Sequence, residues 1–199
     1  MKPISKILSY LFHPLLVPTY VLLIMIQLNP YYFYTVESKR AIAIVAYSTF
    51  FFPAVALLLM KKLDFINSLE LPDKQQRIIP MIIAIVCFVW TYLSVKKTGF
   101  PQSYTWFILG ATISLFIAFF INVFHKISLH TTAMTGGLIA ILMMFFYAQL
   151  NPNYYFLGAI IAVGAVASSR LHLNAHTPKE IYTGFIVGIL GQIIAVNFI

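Results

Sequence analysis

The chain has 199 residues, of which 61% are hydrophobic and 9% are charged, with a mean hydropathy of +0.90 and a formal net charge of +8. Soluble domains carry about 25% charged residues, so this composition excludes a water-exposed globular surface. The apolar residues form unbroken runs instead of the alternating pattern of a membrane β-barrel. We therefore predict an all-α, polytopic transmembrane helix bundle.

Seven apolar runs approach the roughly 20 residues that a helical span requires. In chain order they cover 7–28, 41–60, 78–95, 104–124, 130–149, 154–168 and 181–198. His13 and Pro14 lie inside the first run and predict a kink there. The sixth run is short, and we expect its helix to continue toward Arg170. About seven spans are predicted, with six as the alternative, in a single domain over 1–199 whose short connections favour antiparallel neighbours.

Seven spans place the connections alternately on two sides of the membrane, which we call side A and side B. Side A receives the N-terminus, 61–77, 125–129 and 169–180, whereas side B receives 29–40, 96–103, 150–153 and the C-terminus. Aromatic rings prefer the headgroup level. Three clusters of them fall near the side B edge: Tyr31, Tyr32 and Tyr34; Tyr104 and Trp106; Tyr154 and Tyr155. This distribution favours the count of seven.

Side A collects polar side chains of complementary chemistry. Three of its connections supply them: Asp73, Lys74 and Arg77; His125, Lys126, Ser128 and His130; Arg170, His172, His176 and Glu180. Charges at the ends of membrane helices often serve only as interface anchors. Cations, imidazoles and a carboxylate brought to one face by three connections instead indicate a functional site.

The spacing of His172, His176 and Glu180 admits a metal site, because residues four apart align on one face of a helix. Pro178 argues against a continuous helix, since it disfavours helical backbone at the preceding residue. Arg170 would also repel a divalent cation. We therefore expect no metal and no other cofactor.

The same segment has a second interpretation. Ser169 and Arg170 are followed by five residues, His176, three residues and Glu180. This order resembles the third signature of the type 2 phosphatidic acid phosphatase family, which includes bacterial lipid phosphatases and vanadium haloperoxidases. The family's signature reads Ser-Arg-x5-His-x3-Asp, so glutamate stands here in place of aspartate.

The resemblance extends over roughly 70–190. The family's second signature, Pro-Ser-Gly-His, corresponds to 127–130, where Ser128 and His130 are kept while Ile127 and Leu129 replace proline and glycine. Its first signature, Lys-x6-Arg-Pro, corresponds to a compressed arrangement of Lys74, Arg77 and Pro80.

The resemblance implies a membrane-embedded, metal-independent phosphatase that cleaves a lipid phosphate or pyrophosphate monoester through a phosphohistidine. His176 would be the nucleophile, Glu180 would orient its ring, and His130 would transfer the proton. The phosphate would be bound by Lys74, Arg77, Ser128 and Arg170. Lys126 is a further cation that either assists or anchors the interface, whereas His13 and His125 are interpreted as structural or interfacial.

Two alternatives stay open. A catalytically inactive family member could bind or transport a lipid phosphate, which the substitutions at Ile127 and Leu129 would favour. An enzyme that transfers phosphate between lipids would use the same intermediate. The expected partners are membrane lipids and not nucleic acid, because the Lys and Arg residues are dispersed among short connections.

The resemblance also implies a bacterial inner membrane. Nine of the 13 Lys and Arg residues lie on side A, which would make that side cytoplasmic. Four of the nine belong to the predicted site, so the side of the active site stays open. The particular lipid and the oligomeric state do not follow from the sequence.

Overall fold

The computed structural model describes residues 2–33, 37–149 and 154–198. Within these ranges the protein is an all-α bundle of eight helices, which confirms the predicted fold class. The helices are α1 (Lys2–Leu11), α2 (Val17–Leu28), α3 (Ser38–Lys62), α4 (Ile78–Lys97), α5 (Gln102–Phe124), α6 (Leu129–Tyr147), α7 (Tyr154–His172) and α8 (Pro178–Asn197). Six of them, α3 to α8, are long and apolar enough to cross a bilayer, so the chain is an integral membrane protein. As predicted, α7 continues past Arg170.

The predicted first span, 7–28, is two helices and not one kinked helix. The first, α1, ends at Leu11, and α2 begins at Val17 after an irregular turn. Pro14 has no amide hydrogen to continue the helix, and the amide of Leu15 is bound instead by Nδ1 of His13 at 3.3 Å. The hydroxyl of Tyr20 donates to the carbonyl of Leu11 at 2.9 Å and ties the two helices together. The number of long helices therefore agrees with the predicted alternative of six spans.

The third helix contains a π-helical turn at Tyr47–Phe51, which ends two residues before Pro53. Proline cannot donate to the preceding turn, and single π-turns accommodate such interruptions. Ser48 donates its hydroxyl to the carbonyl of Ile44 at 2.7 Å, and Thr91 of α4 donates to the Ser48 hydroxyl at 2.8 Å. This bond fixes α3 and α4 side by side.

Close approach of α8 to α6 depends on two glycines. A Cβ added to Gly188 would lie 2.5 Å from the carbonyl oxygen of Thr132, and one added to Gly184 would lie 2.8 Å from that of Ser128. Small residues let membrane helices pack backbone to backbone. The first turns of α6 and α8 therefore lie together, and the amide of Ser128 donates to the carbonyl of Glu180 at 3.3 Å.

The alternating directions of α3 to α8 bring the connections 63–77, 125–128 and 173–177 to one end of the bundle, the predicted side A. The first helix also reaches this end, where the hydroxyls of Ser9 and Ser169 lie 3.4 Å apart.

The aromatic argument for side B is partly wrong. Tyr104 is fully buried, and its hydroxyl donates to the carbonyl of Pro18 at 2.9 Å inside the bundle. Tyr31 and Tyr154 are exposed, as interface rings would be. Tyr34 and the side chain of Tyr32 lie outside the described residues.

Candidate active site

The turn between α7 and α8 creates the central feature of side A. Asn174 adopts a left-handed conformation, with φ of +52°, and the amide of Ala175 donates to the carbonyl of Arg170 at 3.1 Å, which ends α7. The next helix begins at Pro178, and the Thr177 hydroxyl accepts the amide of Glu180 at 3.4 Å as its N-cap. His172 remains exposed on α7, so His172, His176 and Glu180 do not share one helix face. Within 2–33, 37–149 and 154–198, no group of three His, Cys, Asp or Glu side chains is arranged to hold a metal.

His176 and Glu180 form a close pair. Nδ1 of the imidazole lies 2.5 Å from Oε2 of the carboxylate, and the His176 side chain is nearly fully buried. A carboxylate only accepts hydrogen bonds, so the pairing assigns the ring hydrogen to Nδ1. The lone pair therefore lies on Nε2, and this nitrogen is the nucleophile in that tautomer of the neutral imidazole.

The surroundings of His176 keep its ring neutral. Burial lowers the pKa of the imidazole most, and three nearby cations lower it further, from 6.5 to about 3. These cations are Arg77, Arg170 and Lys126. The Glu180 carboxylate favours the protonated ring, but the buried position and three positive charges outweigh it. At neutral pH the site therefore holds an uncharged imidazole among positive side chains.

Arg77 is buried and links two connections of side A. Its Nε donates to the carbonyl of Leu71 at 2.7 Å, and its Nη1 donates to that of Ile127 at 3.1 Å. The guanidinium thus clamps the entry of α4 to the entry of α6. In the described part of the chain, its Nη2 remains for a ligand.

Arg170 is a cation of the site whose hydrogen bonding is incomplete among the described residues. Its Nε is buried without a hydrogen-bond partner among the described residues. Buried polar groups almost always have a partner, so an unpartnered guanidinium nitrogen indicates a place for an anionic ligand. The exposed carboxylate of Glu70 interacts electrostatically with Arg170 without forming an ion pair in the described ranges.

Lys126 completes the cationic group. Its ammonium donates to the carbonyl of Ala175 at 2.9 Å and so joins the connection before α6 to the turn that carries His176. Burial and the charges of Arg77 and Arg170 lower the pKa of the Lys126 amine, whereas Glu180 works in the opposite direction.

His130 lies in the first turn of α6 and meets the N-terminal segment. Its Nε2 lies 3.1 Å from the carbonyl oxygen of Ser9, and its ring stands perpendicular to that of His13, with 5.6 Å between centroids. A carbonyl accepts hydrogen bonds, so Nε2 carries the hydrogen and Nδ1 is left for proton transfer. His130 lies near enough to Arg170 and His176 for their charges to interact.

His13 is the residue of this site that the sequence interpretation missed. Burial and the charge of Arg170 lower the pKa of its imidazole to about 4. The available signal was a titratable residue next to a proline inside an apolar run. That pattern alone indicates a kink or a structural or interfacial histidine, as predicted above.

Two residues that were predicted to bind phosphate form hydrogen bonds at the ends of helices. The ammonium of Lys74 donates to the carbonyls of Val123 and Phe124, at 3.1 and 3.0 Å, and so caps α5. Ser128 is fully buried, and its hydroxyl accepts the amide of Thr131 as the N-cap of α6. Phosphate binding by these two residues stays a prediction.

A cleft of about 420 Å³ opens beside the His176–Glu180 pair, with Lys126 and Asn174 in its wall. It falls within the size range of small-molecule sites. The cleft reaches His176 from the Glu180 side, whereas Arg170 and His130 are not among its lining residues. A ligand in the cleft would therefore contact the pair first.

Comparisons with protein-family models, with curated proteins and with solved structures found no match for this chain. The fold and the site define its class: an all-α integral membrane protein with six candidate spans. At one end of that bundle, a buried histidine–carboxylate pair is surrounded by arginine, lysine and further histidine side chains.

Proposed function

We propose that the protein is a membrane-embedded phosphatase that cleaves a lipid phosphate or pyrophosphate monoester through a phosphohistidine on His176. One observation carries the proposal: a neutral, buried imidazole is oriented by Glu180 and surrounded by cations, one of which has a nitrogen without a partner among the described residues. A neutral imidazole is a competent nucleophile when it is positioned. Guanidinium groups match the oxygens of a phosphate.

In the first step, Nε2 of His176 attacks phosphorus and the bond from phosphorus to the lipid oxygen breaks. The neutral ring of His130 takes a proton from the bound phosphate monoanion through Nδ1 and passes it to that leaving oxygen. The imidazole becomes positively charged, and the Glu180 carboxylate at 2.5 Å stabilises this charge. The phosphoryl oxygens are held by cations placed in advance, which is the main source of catalysis in phosphoryl transfer.

In the second step, water attacks the phosphohistidine. His130 takes a proton from the water through Nδ1, the phosphorus–nitrogen bond breaks and inorganic phosphate leaves. His130 passes this proton to the departing phosphate, so both histidines return to their starting protonation states. The phosphate leaves with its charge balanced by Arg170 and Arg77, and the cycle calls for no metal.

A membrane-borne substrate fits the surroundings of the site. Exposed apolar side chains flank the turn that carries His176, among them Leu171 on α7 and Tyr182 on α8. A lipid tail could remain in the bilayer against these side chains while its phosphate enters the cationic cluster.

A binding or transport function without hydrolysis is the second candidate. It is favoured by the start of α6, where the amide of Ser128 is committed to the carbonyl of Glu180. Glycine at the position of Leu129 would let backbone amides close on a phosphate. Without that cradle, binding would depend on the side chains of Arg77, Arg170 and Lys126.

The test is phosphate release from a panel of lipid phosphates and pyrophosphates by the full chain in detergent, with chelator present. We expect His176→Ala to abolish release and to lose a rapidly quenched phosphohistidine. His172→Ala is the matched control, because that residue is exposed on α7, and it should retain activity. Turnover that survives His176→Ala would overturn the proposal. Tight lipid-phosphate binding without release by the wild type would favour the second candidate.

A further inference from the structure

A second cavity lies on side B, at the opposite end of the bundle from the proposed active site. It is a groove of about 470 Å³ between α3 and α4. Arg40 and Lys97 lie at one end of it, and the rings of Tyr47, Phe52 and Trp90 form its sides. The proposed hydrolysis uses none of these residues.

The groove extends from the membrane surface toward the midplane. The helices α3 and α4 are antiparallel neighbours, joined by the bond between Ser48 and Thr91. Arg40 near the start of α3 therefore lies level with Lys97 at the end of α4. Phe52 is twelve residues after Arg40, which corresponds to roughly 18 Å of helix. Half of a typical hydrocarbon core is about 15 Å thick. The groove is therefore as long as one leaflet is deep.

Its outer end is positively charged. Side B has four Lys and Arg residues in all, and each lies at the start of α3 or the end of α4: Lys39, Arg40, Lys96 and Lys97. Arg40 and Lys97 make no ion pair within the described ranges. Unpaired cations at the headgroup level attract anionic lipids.

Its inner part is apolar and aromatic. Trp90 is 67% exposed, and Tyr47 and Phe52 are exposed to more than half. The π-turn at Tyr47–Phe51 lies in the same stretch, and such turns often accompany binding sites. Exposed rings at this depth would contact an acyl chain.

We propose that this groove binds one anionic phospholipid. The phosphate lies between Arg40 and Lys97, and an acyl chain lies along Tyr47, Trp90 and Phe52. The charge of the mouth selects an anionic headgroup over a zwitterionic one, and the length of the groove selects a lipid over a free phosphate. The inference is independent of the proposed hydrolysis, since a phosphodiester headgroup would be retained and not cleaved.

The experiment is native mass spectrometry of the delipidated full chain, titrated with phosphatidylglycerol or with phosphatidylcholine of the same acyl chains. We expect the wild type to retain one phosphatidylglycerol in preference to phosphatidylcholine. The double variant Arg40→Gln, Lys97→Gln should bind phosphatidylglycerol roughly 20- to 30-fold more weakly, about fivefold for each cation. The double variant Lys61→Gln, Lys62→Gln removes the same charge from the other, exposed end of α3 and should bind nearly as the wild type does.

A third variant tests the contribution of the groove's shape separately from that of its charge. Ala43→Trp fills the groove, which Ala43 lines, and leaves both cations in place, so it should also release the lipid. Equal affinity for the two lipids, or equal losses in the two charge variants, would overturn the proposal. A dimer that Ala43→Trp dissociates while the lipid count stays unchanged would also overturn it, because a second copy would then occupy the groove.

Discussion

In the proposed mechanism, the His176–Glu180 pair places the nucleophile and its orienting carboxylate four residues apart. The pairing controls which ring nitrogen carries the hydrogen, and burial among cations controls the charge of the ring. Arg77 is anchored to backbone carbonyls, whereas Arg170 keeps a buried nitrogen without a partner in the described chain. One guanidinium therefore builds the site, and the other is available for a ligand.

Glu180→Gln should lower kcat for phosphate release by roughly 10²- to 10⁴-fold, because an amide neither fixes the Nδ1 hydrogen nor stabilises the charged ring. Initial rates on the best substrate of the panel measure the effect. Glu37→Gln removes an exposed carboxylate on side B and should leave kcat unchanged. A Glu180→Gln variant with wild-type kcat would contradict the proposed orienting role of the carboxylate.

The proposed nucleophile predicts a particular pH dependence. Neutral His176 is reactive, and its pKa of about 3 keeps the ring neutral well below pH 6.5. Lys126→Gln removes a neighbouring positive charge, which makes protonation easier and raises this pKa. The acid limb of kcat/KM that belongs to His176 should therefore move to higher pH in the variant, as a pH–rate profile would show. Movement to lower pH would contradict the assigned electrostatics.

At the scale of elements, the break between α1 and α2 supports the proposed proton-transfer residue. The helix ends at Leu11, and the turn that follows presents His13 to the ring of His130 while Ser9 binds its Nε2. The two N-terminal helices thus hold His130 from outside the six long spans.

His13→Ala should lower kcat roughly tenfold with little change in KM, because His13 positions His130, whose proton transfer is worth about 10²- to 10⁴-fold. The pH–rate profile should change as well, since the ring environment of His130 changes with its neighbour. His125→Ala is the control, as His125 is exposed on the same side. An unaltered pH profile and kcat would limit His13 to a packing role.

The contact between α6 and α8 depends on the absence of a side chain at Gly188. Gly188→Ala should lower the free energy of unfolding by about 1–3 kcal/mol, because its Cβ would meet the Thr132 carbonyl at 2.5 Å. Gly164→Ala in α7 is the matched control. Among the described residues, nothing beyond its own chain neighbours and helix backbone lies within 4 Å of its added Cβ, so stability should be unchanged or higher by about 0.4–1 kcal/mol. Thermal unfolding in detergent compares them, and equal loss in both would contradict the packing.

At the scale of the whole molecule, the two ends of the bundle differ in kind. Side A holds titratable groups that are buried and face one another, whereas side B holds exposed cations around an open groove. Six antiparallel spans keep these ends on opposite faces of the membrane.

Cysteine labelling tests this arrangement. In a Cys87→Ala background, Asn67→Cys and Thr177→Cys should react with an impermeant maleimide from the same face of sealed vesicles, because both exposed residues lie on side A. Thr98→Cys, exposed on side B, should react only from the other face. Labelling of Asn67→Cys and Thr98→Cys from one face would exclude the six-span order.

The all-α class, most of the long spans and the break at Pro178 could be predicted from the amino-acid sequence. These features are local: lipid requires long apolar helices with internally satisfied backbones, and proline interrupts a helix wherever it stands. The four-residue spacing of His176 and Glu180 was also readable, because the two side chains still meet across the helix start: His176 directly precedes the N-cap Thr177, and Glu180 lies in the first turn of α8.

The distant residues that join that pair became visible from the packing of the helices. His13 entered the site because the N-terminal helices fold back on α6 and α7, and Lys74 turned to the carbonyls that end α5. Such contacts depend on how closely whole helices approach, as at Gly184 and Gly188. The spacing of residues along one segment carries no information about that distance, so the membership of the site had to come from packing.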